Sequence, residues 1–220
     1  MEKRKILIGD YNTAAHGWTL AAWRLSAAEQ KTKYLDKPNG DGAWDVSTTT
    51  TDGIPKYNDR KLTVTLETSE GTRAEREATI RQMINLLDGM RWEIRLPDDD
   101  HHYLTGRVHV AREYNDLAHA AVTVTAVCEP WKYSNAETVV TLIATGTKQL
   151  ITLYNGGRRA VVPNLAVDGS SVLLERGESS TAMSTGNYMW PGLLLTPGSH
   201  PLTYSGSGTI TISYREAVLE

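Results

Sequence analysis

Several stretches of this chain alternate apolar and polar residues with a period of two. Leu62-Thr63-Val64-Thr65-Leu66 sets its aliphatic residues on one side and its threonines on the other, and Trp92-Glu93-Ile94-Arg95-Leu96 does the same with charges outward. Val122-Thr123-Val124-Thr125-Ala126 and Thr209-Ile210-Thr211-Ile212-Ser213-Tyr214 repeat the pattern. Successive side chains of a β-strand point to opposite faces, so each stretch reads as a strand with one buried face. Thr, Val, Ile and Tyr suit such a half-buried pleated surface. A chain written this way has to pair its strands and bury their apolar faces together, and its fold class is mainly β.

One segment follows a different rhythm. Thr72-Arg73-Ala74-Glu75 fits a capping box, in which the Thr72 hydroxyl and the Glu75 carboxylate satisfy each other's free backbone N–H groups. Ile80, Met83, Ile84 and Leu87 then recur at helical spacing, and Gly89 stands where a helix end is expected. The spacing predicts a helix over residues 72–88 whose stripe lies across a sheet as core rather than as a cofactor site.

Turn signals recur at Asn39-Gly40-Asp41-Gly42, Asp52-Gly53, Pro97-Asp98-Asp99, Asn155-Gly156-Gly157, Asp168-Gly169 and Pro197-Gly198. The chemistry changes near Ser134-Asn135-Ala136. Past that point no helical stripe remains, only short strands between Gly, Ser, Pro and Asn turns. The reading is an N-terminal α+β domain over residues 1–134, a β-sandwich or barrel with one packed helix, followed by a jelly-roll-like β-sandwich over residues 135–220.

Composition narrows the function. With 220 residues the chain can bury a sizeable core without disulfides, and Cys128, its single cysteine, cannot form an intrachain one. A formal net charge of −3 gives no global attraction to nucleic acid or to anionic membranes. No apolar stretch is long enough for a secretory signal or a membrane span, so a soluble protein without membrane insertion is expected. Ten Tyr and six Trp stand beside no Phe, a usage that favours interfaces as well as cores.

No constellation asks for a catalytic, metal or cofactor role. Asp98-Asp99-Asp100-His101-His102 carries metal-ligand chemistry, but consecutive residues in a strand connection rarely converge on one ion, and a solvated turn is the better reading. Cys128 ends an alternating run and reads as a buried, inert thiol. Arg158 and Arg159 form a small basic turn. Tyr154, Tyr188, Trp190 and Tyr204 could stack on a sugar ring, although strand aromatics more often serve core or interface.

The order of the segments is informative. Gly40-Asp41-Gly42 is followed by Tyr57-Asn58-Asp59-Arg60-Lys61, then by the helix, by Tyr103-x-x-Gly106-Arg107-Val108 and by Cys128-x-Pro130-x-x-Tyr133. This series resembles the N-terminal domain of the distal tail proteins (Dit) of siphovirus-type phages and prophages. Asn155-Gly156-Gly157, Trp190-Pro191-Gly192-Leu193 and Gly208 to Glu216 look like the C-terminal sandwich of the same family. The departure is the basic lead-in Met1 to Asp10, which reads as an arm or an extra strand.

The resemblance implies a virion structural protein rather than an enzyme, with no cofactor, made in the bacterial host cytoplasm and placed at the phage tail tip. It implies a galectin-like second domain. It implies a homo-hexameric ring between the tail tube protein and the hub, baseplate and tape-measure proteins, with DNA passing through a central channel. The excess of Asp and Glu over Lys and Arg would help keep such a channel from holding DNA if some of those carboxylates line it. The hairpin with arms Leu104–Val110 and Ala120–Val127 is the expected joint between copies, through open strand edges, with a polar tip at Glu113-Tyr114-Asn115-Asp116. Tyr103, Arg107, Tyr114, Asn115 and Asp116 are the candidate interface residues. The alternative is a carbohydrate-binding module for host attachment, with Tyr188 and Trp190 as glycan contacts.

Overall fold

The computed structural model describes residues 4–51, 53–97 and 99–220. Met1, Glu2, Lys3, Asp52 and Asp98, which entered the sequence reading, lie outside the described residues. The chain forms two compact units, one running to Lys132 and the other from Tyr133 to Glu220.

The first unit opens with two short strands, β1 (Leu7–Ile8) and β2 (Tyr11–Asn12), so the basic lead-in ends in a small hairpin. There follow β3 (Thr19–Leu25), β4 (Tyr34–Asp36), β5 (Ala43–Asp45), β6 (Arg60–Thr68), α1 (Arg73–Leu87), β7 (Arg91–Arg95), β8 (His102–Asn115) and β9 (Ala120–Cys128). Its sheet runs in the order β2-β1-β7-β8-β9-β6-β3, with antiparallel pairs throughout. Among the described residues β4 and β5 form a two-stranded sheet of their own.

The alternation read from the sequence decides which face is core. Leu62, Val64 and Leu66 on β6, Val122, Val124 and Ala126 on β9, and Leu104, Val108 and Val110 on β8 are all buried in one cluster. α1 covers that face with Ile80, Met83 and Leu87. Both halves of the capping box form: Glu75 N–H donates to Thr72 Oγ1 at 3.3 Å, and Thr72 N–H donates to Glu75 Oε2 at 2.7 Å. Trp18 closes one end of the core, with its indole N–H on Tyr11 Oη at 3.2 Å.

Trp92, Gly106, Cys128 and Arg60 form one row across four neighbouring strands. Gly106 is there because nothing larger fits: a Cβ would lie 2.6 Å from Cys128 Sγ and 2.9 Å from the Val127 carbonyl oxygen. Arg60, almost fully buried, sends its Nε–H to the Ser26 carbonyl at 2.7 Å. Tyr57 meets Trp131 edge-on, with ring centroids 5.3 Å apart.

The second unit holds β10 (Lys132–Ser134), which begins on the boundary residue, β11 (Thr138–Thr145), β12 (Gln149–Asn155), β13 (Asn164–Arg176), β14 (Ser179–Met183), β15 (Gly186–Met189), β16 (Gly198–Tyr214) and β17 (Ala217–Val218). The sheet order is β11-β16-β13-β14; β12 joins the first half of β16 and β15 the first half of β13. The sequence suggests only short strands here, yet β13 spans 13 residues and β16 spans 17. The reason is Gly206-Ser207-Gly208, which bends one continuous strand instead of ending it. Gly206 has φ +99°, and a Cβ there would overlap the Ser171 carbonyl of β13. The bend lets both halves of the sheet face one core, with Leu142, Leu153, Leu165, Leu174, Leu202 and Ile212 buried together.

Asn155-Gly156-Gly157 is also a structural device. Buried Asn155 donates from Nδ2 to the carbonyls of Arg159 and Leu195, both at 2.9 Å, and accepts the Gly157 N–H at 3.0 Å. Gly157 is close against the Ala217 backbone, where a Cβ would come within 2.7 Å.

Two substitutions test these contacts. Gly106→Ala is expected to cost about 1–3 kcal/mol in urea unfolding through overpacking, with part of the loss recovered in a Cys128→Ala background and the Val127 carbonyl contact retaining the rest. Gly206→Ala combines a left-handed φ with a backbone overlap, so it is expected to unfold the second unit, seen as loss of the amide protection of β13 and β16 in hydrogen exchange.

Candidate functional site

The expected interface residues do not form one site. Leu104 is buried, so Tyr103 and Arg107 fall on the opposite, outer face of β8 by alternation. Tyr114, Asn115 and Asp116 lie seven or more residues further on, roughly 24 Å away along an extended strand. The expected open edges are also taken. β8 lies between β7 and β9, and β9 between β8 and β6, so neither arm offers a free ladder where its neighbours pair with it. Sequence order places the two arms in a hairpin but says nothing of which strands flank it.

The hairpin tip lies further along than expected. A bulge between Arg112 and Tyr114 carries β8 on to Asn115, and the turn is Asp116 to His119. α1 holds this turn. Arg76, 3% exposed, donates to the carbonyls of Gly71 at 2.6 Å, Asp116 at 2.9 Å and Leu117 at 3.1 Å. Asn115 Nδ2 reaches the Arg73 carbonyl at 3.1 Å and Glu77 at 3.2 Å. The Asp116 carboxylate takes the N–H groups of His119 at 2.7 Å and Ala118 at 2.8 Å, which hold it below the usual carboxylate range. Asn115 and Asp116 thus shape the turn, and the side chain presented outward is Leu117, 89% exposed. The signal for Arg76 was in the sequence: it stands four residues before Ile80, on the buried stripe.

Beyond the end of β7, Asp88 takes over the flank of β8. Its Oδ1 accepts the Val110 N–H at 2.8 Å and lies 2.7 Å from His109 Nδ1. The Val110 N–H and His109 keep this carboxyl low. Next to it the outer face of the sheet carries a concavity of about 460 Å³, lined by Asp59, Asp88, Arg91, Arg107, His109 and Val127 among others. Arg107 Nη1 donates to the Gly89 carbonyl at 2.5 Å, and Arg91 is ion-paired with Glu129.

A further exposed aromatic feature lies in a stretch that no sequence period marks. Residues 26–51 and 53–59 hold no buried residue and form an arm that carries the β4–β5 hairpin. Asn39 at φ +58° and Gly42 at φ +73° make its turn. At its root Lys31 N–H donates to the Lys56 carbonyl and Asn58 N–H to the Glu29 carbonyl. Asp45 is held low by the Ser47 hydroxyl and N–H. Leu35 and Trp44 are direct cross-strand partners, 46% and 53% exposed, while Tyr34, on the other face, is 60% exposed.

The remaining candidates are structural in their contacts. The Asp99 carboxylate lies 3.0 Å from Lys132 Nζ and 3.0 Å from His102 Nδ1. Partial burial opposes its charge, yet these two partners hold its pKa low. Among the described residues no group of three or more His, Cys, Asp or Glu could hold a metal. Burial pushes the Cys128 thiol up to about 12, which leaves it almost wholly protonated near neutral pH. Arg159 lies over the Tyr133 ring at 5.4 Å, and the N–H groups of Arg158 and Arg159 donate to the Ala217 carbonyl.

The expected glycan contacts are half-buried in the second unit. Trp190 and Tyr188 pack against its core, and a Cβ on Gly192 would lie 2.6 Å from the Trp190 ring. Tyr204 is buried, which leaves Tyr154 as the exposed one of the four aromatics named from sequence. A shallow trough of about 370 Å³ on the sheet is bordered by Asn164, Asn187, Tyr188, Met189, Thr211 and Ser213, so half-buried Tyr188, one of the two expected glycan contacts, also lines it.

No protein-family model matches the chain, and no curated protein matches it. Among solved structures it is similar to the Dit protein (gp 19.1) of SPP1, described as a paradigm of the hub adsorption apparatus in phages infecting Gram-positive bacteria. The TM-score is 0.71 at 14% identity, over 97% of this chain and 99% of that one. The Dit resemblance read from the sequence therefore holds at the level of fold, and both units of this chain share the architecture of that protein.

Proposed function

We propose that this chain is a structural subunit of a phage tail tip. It assembles with copies of itself into a ring, most simply a hexamer, that joins the tail tube to a hub or baseplate protein around a central passage for DNA. The work is assembly rather than turnover of a substrate.

The observation that carries this reading is the β4–β5 hairpin. An isolated two-stranded hairpin is marginal in water, and this one exposes Tyr34, Leu35 and Trp44 together. Its cross-strand Leu35–Trp44 pair has the composition of an interface anchor: a large aromatic beside an aliphatic, on a short, defined scaffold. A neighbouring copy that covers it supplies the stability the hairpin lacks. The fold shared with SPP1 Dit, a protein of a hub adsorption apparatus, supports the placement in the tail.

The carbohydrate-module reading keeps one specific observation, the trough edged by Asn164 and Asn187, whose bordering groups are neutral hydrogen-bonding or apolar. It expects calorimetric binding of host cell-wall glycans that Asn164→Ala weakens and Trp190→Ala affects only through folding. Flat titrations remove it.

The ring reading is checked by mass and shape. Light scattering of the purified chain is expected to rise with concentration to a closed multiple of 24.3 kDa, with annular particles in electron micrographs. A chain that stays monomeric at high concentration, alone and beside tail proteins, contradicts it.

A further inference from the structure

The second unit leaves open a strand edge that its own sequence does nothing to protect. Among the described residues β11 pairs with β16 alone, so its other edge has no ladder partner. We propose that this edge pairs with the same edge of a second copy, antiparallel and about a two-fold axis at Thr141, so that the two sheets run on into one.

Open edges are ordinarily kept apart by short length, a bulge, a charged side chain or Pro. The other edges of the two large sheets use such devices. β3 has a bulge between Leu20 and Ala22 and carries Arg24, β2 and β17 have two residues each, β15 has four and β14 five. β11 has none of them. Thr138 to Thr145 hold no charge and no Pro, and their register with β16 runs without a shift. Lys148, the first charged residue after it, is ion-paired with Glu175 at 2.7 Å. The apolar surface gathers here as well. Val139 and Ile143 on β11 are 56% and 65% exposed, and Leu150 and Tyr154 follow on β12, which continues the same side of β16.

The pattern of β11 selects a second copy as the occupant. Leu142 and Ala144 are buried, so Val139, Thr141, Ile143 and Thr145 face outward by alternation. With the axis at Thr141, Val139 of each copy lies opposite Ile143 of the other, and Thr141 meets Thr141 between them. On the inner face Val140 meets Leu142. Both are favourable kinds of cross-strand pair, and no charge faces its own counterpart. Moving the axis to Val140 sets Ile143 opposite Glu137, and moving it to Leu142 sets Val139 and Ile143 opposite threonines. A shift by one residue turns apolar inner faces outward. The strand is thus its own best complement, in one register.

A two-fold contact closes at two copies, whereas a ring junction is head-to-tail. The pairing is therefore independent of the ring reading and adds a second surface to it. β11 supplies eight residues a side, against about 20–30 in a standard interface, so the contact is expected to be reversible and to grow with concentration.

Cysteine pairing in the full chain tests this. Opposite residues of antiparallel strands have Cβ atoms about 4.5–5.5 Å apart, close to the reach of a disulfide. Thr141→Cys is expected to give a disulfide-linked dimer after mild oxidation, and no larger ladder on a non-reducing gel. In this register Val139 and Ile143 each lie roughly 14 Å along the strand from their own counterparts. Val139→Cys and Ile143→Cys are therefore expected to link at least about tenfold more in an equal mixture than either does alone, because Cα atoms more than about 7 Å apart are not bridged. All three positions face outward, each variant is checked for an unchanged thermal melt, and the two readouts are separate. The parent chain gives the background, which buried Cys128 keeps low. Equal linking of Val139→Cys and Ile143→Cys alone and mixed reports random collision and overturns the proposal, as does linking no greater than the parent's. Annular particles without these links overturn it and leave the ring reading standing. The links in a chain that forms no ring do the reverse.

Discussion

Four strands of the first unit are locked together at a position with no side chain. Trp92, Gly106, Cys128 and Arg60 stand abreast, and the missing Cβ of Gly106 is what lets the Cys128 sulfur sit over the sheet. A one-residue slip of any of these strands would turn its whole apolar set outward, so a contact that tolerates one register fixes the buried face of the sheet. Everything outside the core of the first unit follows from that. It sets Arg107, Arg91 and Val127 in a row on the outer face, and it directs the chain before Arg60 away from the core as an arm.

The row also gives physical content to the sequence resemblance. Tyr57-Asn58-Asp59-Arg60, Tyr103-x-x-Gly106-Arg107 and Cys128-x-Pro130 are far apart in the chain, yet Arg60, Gly106 and Cys128 are neighbours on adjacent strands. Tyr57 and Trp131 meet just beyond them. What looks like three weak motifs is one packed patch, read three times along the chain.

Legibility tracked burial. β6, β9 and the end of β16 have one wet face and one dry face, so their alternation was plain; α1 announced itself through its capping box and stripe. β3, β4 and β5 are exposed or half-exposed on both faces, so no period marks them. Gly206-Ser207-Gly208 reads as a turn because a bend inside a long strand uses the same residues as a turn between two. Arg76 stands at stripe spacing, but an arginine on a helix is ordinarily solvated, and its three carbonyl acceptors come from the residue before its own helix cap and from a turn forty residues away. The outer-face row could not be read at all, because it depends on strand order.

The central claim is that the Tyr34–Asp45 hairpin is left incomplete by its own chain and is completed by another copy. Amide hydrogen exchange measured on dilute and on assembled protein tests this directly. The account predicts rapid exchange across residues 34–45 in the dilute state and strong protection on assembly, while the amides of β6 and β9 stay protected in both. Equal exchange of the hairpin in the two states would contradict it.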